Sequence, residues 1–149
     1  MKLKIVLVSE WFPPNHGGVA SHVRDLARTL SKMGHEVTII SRKCECFRKE
    51  EAQIIQVGSA IPFNSLIVPP NTHSLRKLLE LEEADLVHCH HAFTLLPLLS
   101  IRVCESLGIP AIVTNHTAYF EDTMFTKFLG LSVYPCLLYT SDAADELDG

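Results

Sequence analysis

Apolar and polar positions along this chain alternate between two periods. Lys2–Ser9 (KLKIVLVS) runs into an unbroken β-branched and aliphatic stretch, the pattern of a strand buried on both faces. Glu10–His16 holds Pro13, Pro14 and Asn15 and reads as a loop. After Gly17-Gly18, the residues Val19, Val23, Leu26, Ala27, Leu30 and Met33 recur at helical spacing, with Arg24, Asp25, Arg28 and Lys32 between them. Lys32 in the last turn and Gly34 at the C′ position mark where that helix stops. Glu36–Ser41 (EVTIIS) is a second strand, Arg42–Glu51 a charged surface loop, and Gln53–Val57 (QIIQV) a third strand. Gly58–Asn71, with Pro62, Pro69 and Pro70, is a long irregular connection of the kind that often carries function. His73–Leu81 is a short helix and Asp85–Cys89 (DLVHC) a fourth strand. Thr94–Leu107 is a helix with Pro97 in its first turn, where proline is tolerated, and Gly108 and Pro110 end it. Ala111–Thr114 (AIVT) is a fifth strand, and Glu121–Tyr134 a further helix.

Strands separated by helices imply parallel pairing with right-handed crossovers and helices on both faces. The predicted fold is therefore α/β, a Rossmann-like, doubly wound parallel sheet. Such sheets bind ligands beyond the carboxyl ends of their strands. That rule directs attention to four loops: Glu10–Gly18, Gly58–Asn71, His90–Phe93 and Asn115–Glu121.

Composition narrows the class without naming a chemistry. The chain has 149 residues, 47% of them apolar and 20% charged, enough for one domain with a core. The net charge of −4 misleads, because Asp142, Asp145, Glu146 and Asp148 crowd into the last eight residues; without them acids and bases balance at thirteen each. A neutral body offers no basic field for nucleic acid. The apolar run Ile5–Val8 is too short for a signal peptide, and no stretch approaches the length of a membrane span. The expected location is cytoplasmic, with peripheral contact at the inner face of the membrane left open. The five cysteines include no C-x-x-C pair and read as reduced thiols, with Cys44-Glu45-Cys46 a weak metal or redox hint.

Three short elements carry candidate chemistry. Gly17-Gly18-Val19 joins the first strand to the first helix, where adjacent glycines admit a ligand to the backbone and the helix dipole favours a phosphate. Neither G-x-G-x-x-G nor G-x-x-x-x-G-K-[ST] is present, which removes the nicotinamide-cofactor fingerprint and the P-loop. A plain tight turn is the competing explanation of the glycine pair. Val87-His88-Cys89-His90-His91 ends the fourth strand, where His88 and His90 face one way and Cys89 and His91 the other. Three readings stay open there: a metal site completed by His116, a satisfied core histidine at His88, or a strand tip where His90 meets substrate phosphates or hydroxyls. Val113-Thr114-Asn115-His116-Thr117 follows the fifth strand, and its histidine is placed to hydrogen-bond a ligand or to titrate near neutrality.

Together and in this order, the stretches SEWFPPNHGGVASHVRDLARTLSKMGHEVTIIS, DLVHCHHAF and AIVTNHTAYF resemble the N-terminal domain of the family 4 retaining glycosyltransferases of GT-B fold. Within that family they look most like the catalytic subunits of the GPI-anchor N-acetylglucosaminyltransferases. The likeness covers about residues 3–135. It implies that Gly17, Gly18 and Val19 lie beside the diphosphate of a nucleotide-sugar donor, and that His116 lies beside the transferred sugar. It places His90 and, with it, His91, Asn115 and Thr117 on the substrate side. It implies metal-independent transfer with no cofactor, the nucleotide-sugar being a co-substrate, to a sugar or lipid-linked acceptor. Trp11, Phe12, Phe63, Leu66, Ile67 and Val68 suit a lipid acceptor, or else simply cover the core.

The resemblance also sets expectations for the chain's extent. Residues 1–135 correspond to the acceptor-side half of a GT-B fold, and the family's C-terminal donor-binding domain has no counterpart in these 149 residues. The stretch from Cys136 to Glu146 resembles translated sequencing-adapter read-through, so 136–149 is expected to be a non-native tail, a solvated acidic C-terminus being the alternative. A fragment of this kind is expected to be inactive alone. Two other functions remain at this stage: a non-catalytic module that binds a phosphorylated ligand, and a metal-dependent hydrolase using His88, His90, His91 and His116.

Overall fold

The computed structural model describes residues 1–10, 17–42, 52–58, 70–91 and 94–116. In chain order the elements are β1 (Lys4–Ser9), α1 (Gly18–Lys32), β2 (Glu36–Arg42), β3 (Gln53–Val57), α2 (Thr72–Glu82), β4 (Leu86–His90), α3 (Leu95–Leu107) and β5 (Ala111–Thr114). The five strands form one parallel sheet in the order β3-β2-β1-β4-β5. The α/β reading of the sequence therefore holds over these residues, strand for strand and helix for helix. The expected helix over Glu121–Tyr134, the tail over 136–149, Thr117, Cys44–Cys46 and the apolar loop residues Trp11, Phe12, Phe63, Leu66, Ile67 and Val68 lie outside the described residues.

The central strand explains why the run IVLV had to be apolar throughout. Ile5, Leu7 and their neighbours Val37 and Ile39 pack against Val23 and Ala27 of α1 on one face. Val6 and Val8, with Ile40, Val87 and Cys89, pack on the other face against Leu75 and Leu79 of α2 and Leu96, Ile101 and Cys104 of α3. Each fully buried aliphatic side chain contributes roughly 1.5–3 kcal/mol. Helices on both faces make the sheet doubly wound. Burial also leaves the thiols of Cys89 and Cys104 protonated, the first raised beyond the thiol range and the second to about 11, as expected of structural cysteines.

Helix ends follow the local chemistry. Gly34, at φ 90°, and Gly108, at φ 69°, supply the left-handed residues just after α1 and at the end of α3. Asn71 caps α2, its side-chain oxygen accepting from the Ser74 N–H at 3.1 Å.

Several element bounds differ from the sequence expectation by a residue or two, and two of these differences matter for the site. Strand β4 continues one residue further, through His90, which pairs in register with Ser9 of β1 and Thr114 of β5. Arg42, expected in a surface loop, is the last residue of β2 and only 8% exposed. The reason lies in Glu10, a buried carboxylate across the sheet that pairs with it.

Candidate functional site

The strand order reverses direction between β1 and β4, since β2 and β3 lie to one side of β1 and β4 and β5 to the other. In an open α/β sheet the crevice beyond the strand ends at that point is the ligand position. Helices α1 and α3 follow these two strands, and their N-termini are treated differently.

The N-terminus of α3 is occupied by the protein itself. Glu10, one residue beyond β1, accepts a hydrogen bond from the Leu96 N–H at 3.0 Å through one carboxylate oxygen. Its other oxygen accepts from the Arg42 guanidinium. Both side chains are withdrawn from solvent. Burial raises the Glu10 carboxyl above its ordinary range, while Arg42 and the Leu96 N–H pull it back. One carboxylate thus joins the ends of β1 and β2 to the start of α3.

The N-terminus of α1 has no such filling. Gly17 is the cap residue, its φ of 168° is ordinary extended backbone, and among the described residues no side chain caps the helix. A Cβ built on Gly17 or Gly18 meets nothing within 4 Å among those residues. Neither strain nor packing in the described structure therefore requires glycine here. The N–H groups of Gly18, Val19 and Ala20 precede the first intrahelical bond, that of the Ser21 N–H to the Gly17 carbonyl at 3.1 Å. Such an end attracts anions.

Next to it, imidazoles gather on the α1 side of the sheet. The alternation that sends Cys89 into the opposite core sends His88 and His90 this way. His90 is fully buried, and its Nδ1 lies 3.1 Å from Nε2 of His116, which follows β5. The His90 and His116 rings stack with centroids 5.4 Å apart. His22 of α1 approaches both edge-on, at 5.7 Å from His90 and 5.0 Å from His116. His88 lies 4.2 Å from His90, ring to ring, and its Nε2 is 2.8 Å from the Thr114 hydroxyl.

The His88, His90 and His116 rings are shifted toward the neutral form. Burial, with repulsion from His88, His116 and His22, takes His90 down to about 3. Burial lowers His88 and His116 as well, and His22 reinforces both shifts. Crowded imidazoles cannot all carry protons, so His88, His90 and His116 offer lone pairs and N–H donors rather than charge.

The residues singled out in the sequence fall into three groups. Gly17, Gly18 and Val19 form the start of α1, and His90 and His116 are in contact at the ends of β4 and β5. His91 leaves the strand at φ 75°, its N–H donating to the Thr114 carbonyl at 2.9 Å while its own carbonyl accepts from the Thr94 hydroxyl at 3.3 Å. Asn115 is exposed beside His116. The metal set His88, His90, His91 and His116 is not what the fold assembles. The described histidines whose ring nitrogens converge are His22, His90 and His116, and His88 is instead satisfied by Thr114.

Two contributors were missed, Glu10 and His22. Nothing local marks Glu10, because its partners are 32 and 86 residues away. His22 did leave a signal: it lies three residues after Val19 and four before Leu26, on the flank of the buried stripe of α1.

A Rossmann-like sheet here brings a glycine-led helix start and paired histidines to its switch point, the place where open α/β sheets take ligands. The chain belongs to Glycosyltransferase Family 4, which it matches over residues 16–141. It is 26% identical to a human subunit of phosphatidylinositol N-acetylglucosaminyltransferase, over 92% of this chain and 32% of that protein. It is 31% identical to the alpha-monoglucosyldiacylglycerol synthase of Streptococcus pneumoniae, over 91% of this chain and 31% of that one. It is 30% identical to the phosphatidyl-myo-inositol mannosyltransferase of Mycolicibacterium smegmatis, over 82% of this chain and 31% of the relative. The chain thus spans about a third of the length of each of these relatives. No helix among the described residues is long and apolar enough to cross a membrane.

Proposed function

We propose that this chain is the acceptor-side domain of a retaining glycosyltransferase, which moves a sugar from a nucleotide-sugar donor to a lipid-linked or small-molecule acceptor. The observation that carries the reading is one juxtaposition. A glycine-led helix N-terminus, with no side-chain cap among the described residues, and the His90–His116 pair lie at the same carboxyl edge of the sheet. The names of the three relatives each contain a lipid, phosphatidylinositol or diacylglycerol, which favours a lipid-linked acceptor and a cytoplasmic site peripheral to the membrane.

On this reading the first-turn N–H groups after Gly17 face the donor diphosphate, helped by the helix dipole. His116 sits beside the transferred sugar as a neutral hydrogen-bonding group, and His90, bonded to it, is a positioning residue. His91, Asn115 and Thr117 belong to the substrate side. Charge developing on the sugar is met by pre-organised dipoles and by the leaving phosphate, with no metal required. Because the chain spans about a third of the length of these relatives, the 149-residue chain alone is expected to bind donors weakly and not to turn over.

The test is a comparison of nucleoside diphosphate binding (UDP, GDP and ADP) by calorimetry to the chain and to Gly17→Val. The substituted side chain projects into space that no described residue occupies, so the fold stays intact while binding to the preferred nucleotide is lost. Equal binding by Gly17→Val, or robust sugar transfer by the chain alone, would sink this reading.

A further inference from the structure

We propose that His22, His90 and His116 together form a binding site for a transition-metal dication of the zinc class. Each offers a ring nitrogen, and the three nitrogens lie within 4.8 Å of one another. They come from three separate elements, α1, the end of β4 and the residue pair after β5, so only the tertiary fold brings them together. Zinc–imidazole bonds of about 2.0–2.1 Å put the nitrogens of a tetrahedral site about 3.3 Å apart. His90 and His116 are already at 3.1 Å. His22 is the member left to close any remaining distance, and it is the exposed one of the three, on a helix surface.

The environment suits a soft-to-borderline cation better than a hard one. The donor set is three imidazoles with no carboxylate among them, which favours zinc, cobalt, nickel or copper over magnesium or calcium. His90 is wholly buried, and its Nδ1, the ring nitrogen that faces His116, is the atom it offers to the ion. The exposed side, at His22, leaves a fourth position for water or for an oxygen of a bound ligand. Sugar transfer as proposed above needs no metal, and the site is measured without donor or acceptor. The two proposals share His90 and His116, but metal binding and nucleotide binding are read out separately, so the failure of one is distinguishable from the failure of the other.

Cobalt is the probe, because its absorption reports its ligands. The full chain, stripped of metal, is titrated with Co²⁺ at neutral pH, and the bound ion is then competed with Zn²⁺. One equivalent is expected, with ligand-field bands and no thiolate charge-transfer band, displaced by zinc. His22→Ala, an exposed helix position that leaves the circular dichroism unchanged, weakens binding by at least about tenfold. His73→Ala, at an exposed position on α2, leaves it unchanged. His22→Cys supplies a positive signature, a new thiolate charge-transfer band at the same stoichiometry. Three results would overturn the assignment: unchanged affinity in His22→Ala, a thiolate band in the wild-type chain, or inorganic phosphate binding at the cluster with no cobalt bound.

Discussion

Two helices begin beside the switch point of this sheet, and their starts are opposites. At α3 the orphan N–H of Leu96 is bonded to a buried carboxylate from the end of β1, which is itself paired to Arg42 of β2. At α1 the first turn begins on two glycines with no side-chain cap among the described residues. Both ends have the same dipole and the same free donors, so both are anion sites. One has been filled by the protein's own anion and serves the fold. The other is not filled by any described side chain, which is what an anion-binding role for it requires. A helix N-terminus thus becomes informative only when it is known what already satisfies it.

The comparison is broken most severely by removing Glu10. Glu10→Ala deprives a buried guanidinium of its carboxylate and the Leu96 N–H of its acceptor, so chemical denaturation should record a loss of about 3–5 kcal/mol. Replacing Glu10 and Arg42 together by Leu and Met should cost less than the single change, because no unmatched charge then remains. A single-mutant cost under about 1 kcal/mol would mean that the α3 end is not held as described.

Acid is the next lever, and it acts on the open end. His90 is depressed to about 3 from an ordinary 6.5. Between those values the unfolded chain binds the proton and the folded one does not, so stability falls as pH falls through that window. The slope from His90 alone is about 1.4 kcal/mol per pH unit. His90→Gln should flatten the stability profile from pH 6.5 downward by that amount, measured by urea midpoints at several pH values. An unchanged slope in the variant would show that His90 is freely protonated.

Asn71 gives an ordinary cap against which to scale the other two. Asn71→Ala should cost about 1 kcal/mol in thermal denaturation, between the α3 and α1 cases. Gly18→Ala should have the smallest effect on stability and the opposite sign. Its Cβ meets nothing, its φ is not left-handed, and alanine favours a helix by up to about 1 kcal/mol over glycine. A clear destabilisation by Gly18→Ala would mean that the glycine serves the fold after all, as a plain tight turn would.

Periodicity made most of this fold legible. The unbroken run in β1 has to be a strand covered on both faces, and the 3.6-residue repeat of Val19, Val23, Leu26 and Leu30 has to put one side of α1 on the sheet. The positions of Gly34 and Gly108 followed from the backbone each helix end needs. The histidines of β4 and the one after β5 were visible as candidates because they sit where strands end. The partners were not visible. Whether His90 would meet His116, whether His22 would join them, and whether Arg42 would be a surface charge or a buried one all depend on pairing strands far apart in the chain. Local sequence determines period, capping and turn chemistry because those interactions span a few residues. Register and strand order bring side chains from distant segments into hydrogen-bond reach of one another, and only the assembled sheet decides which of them meet.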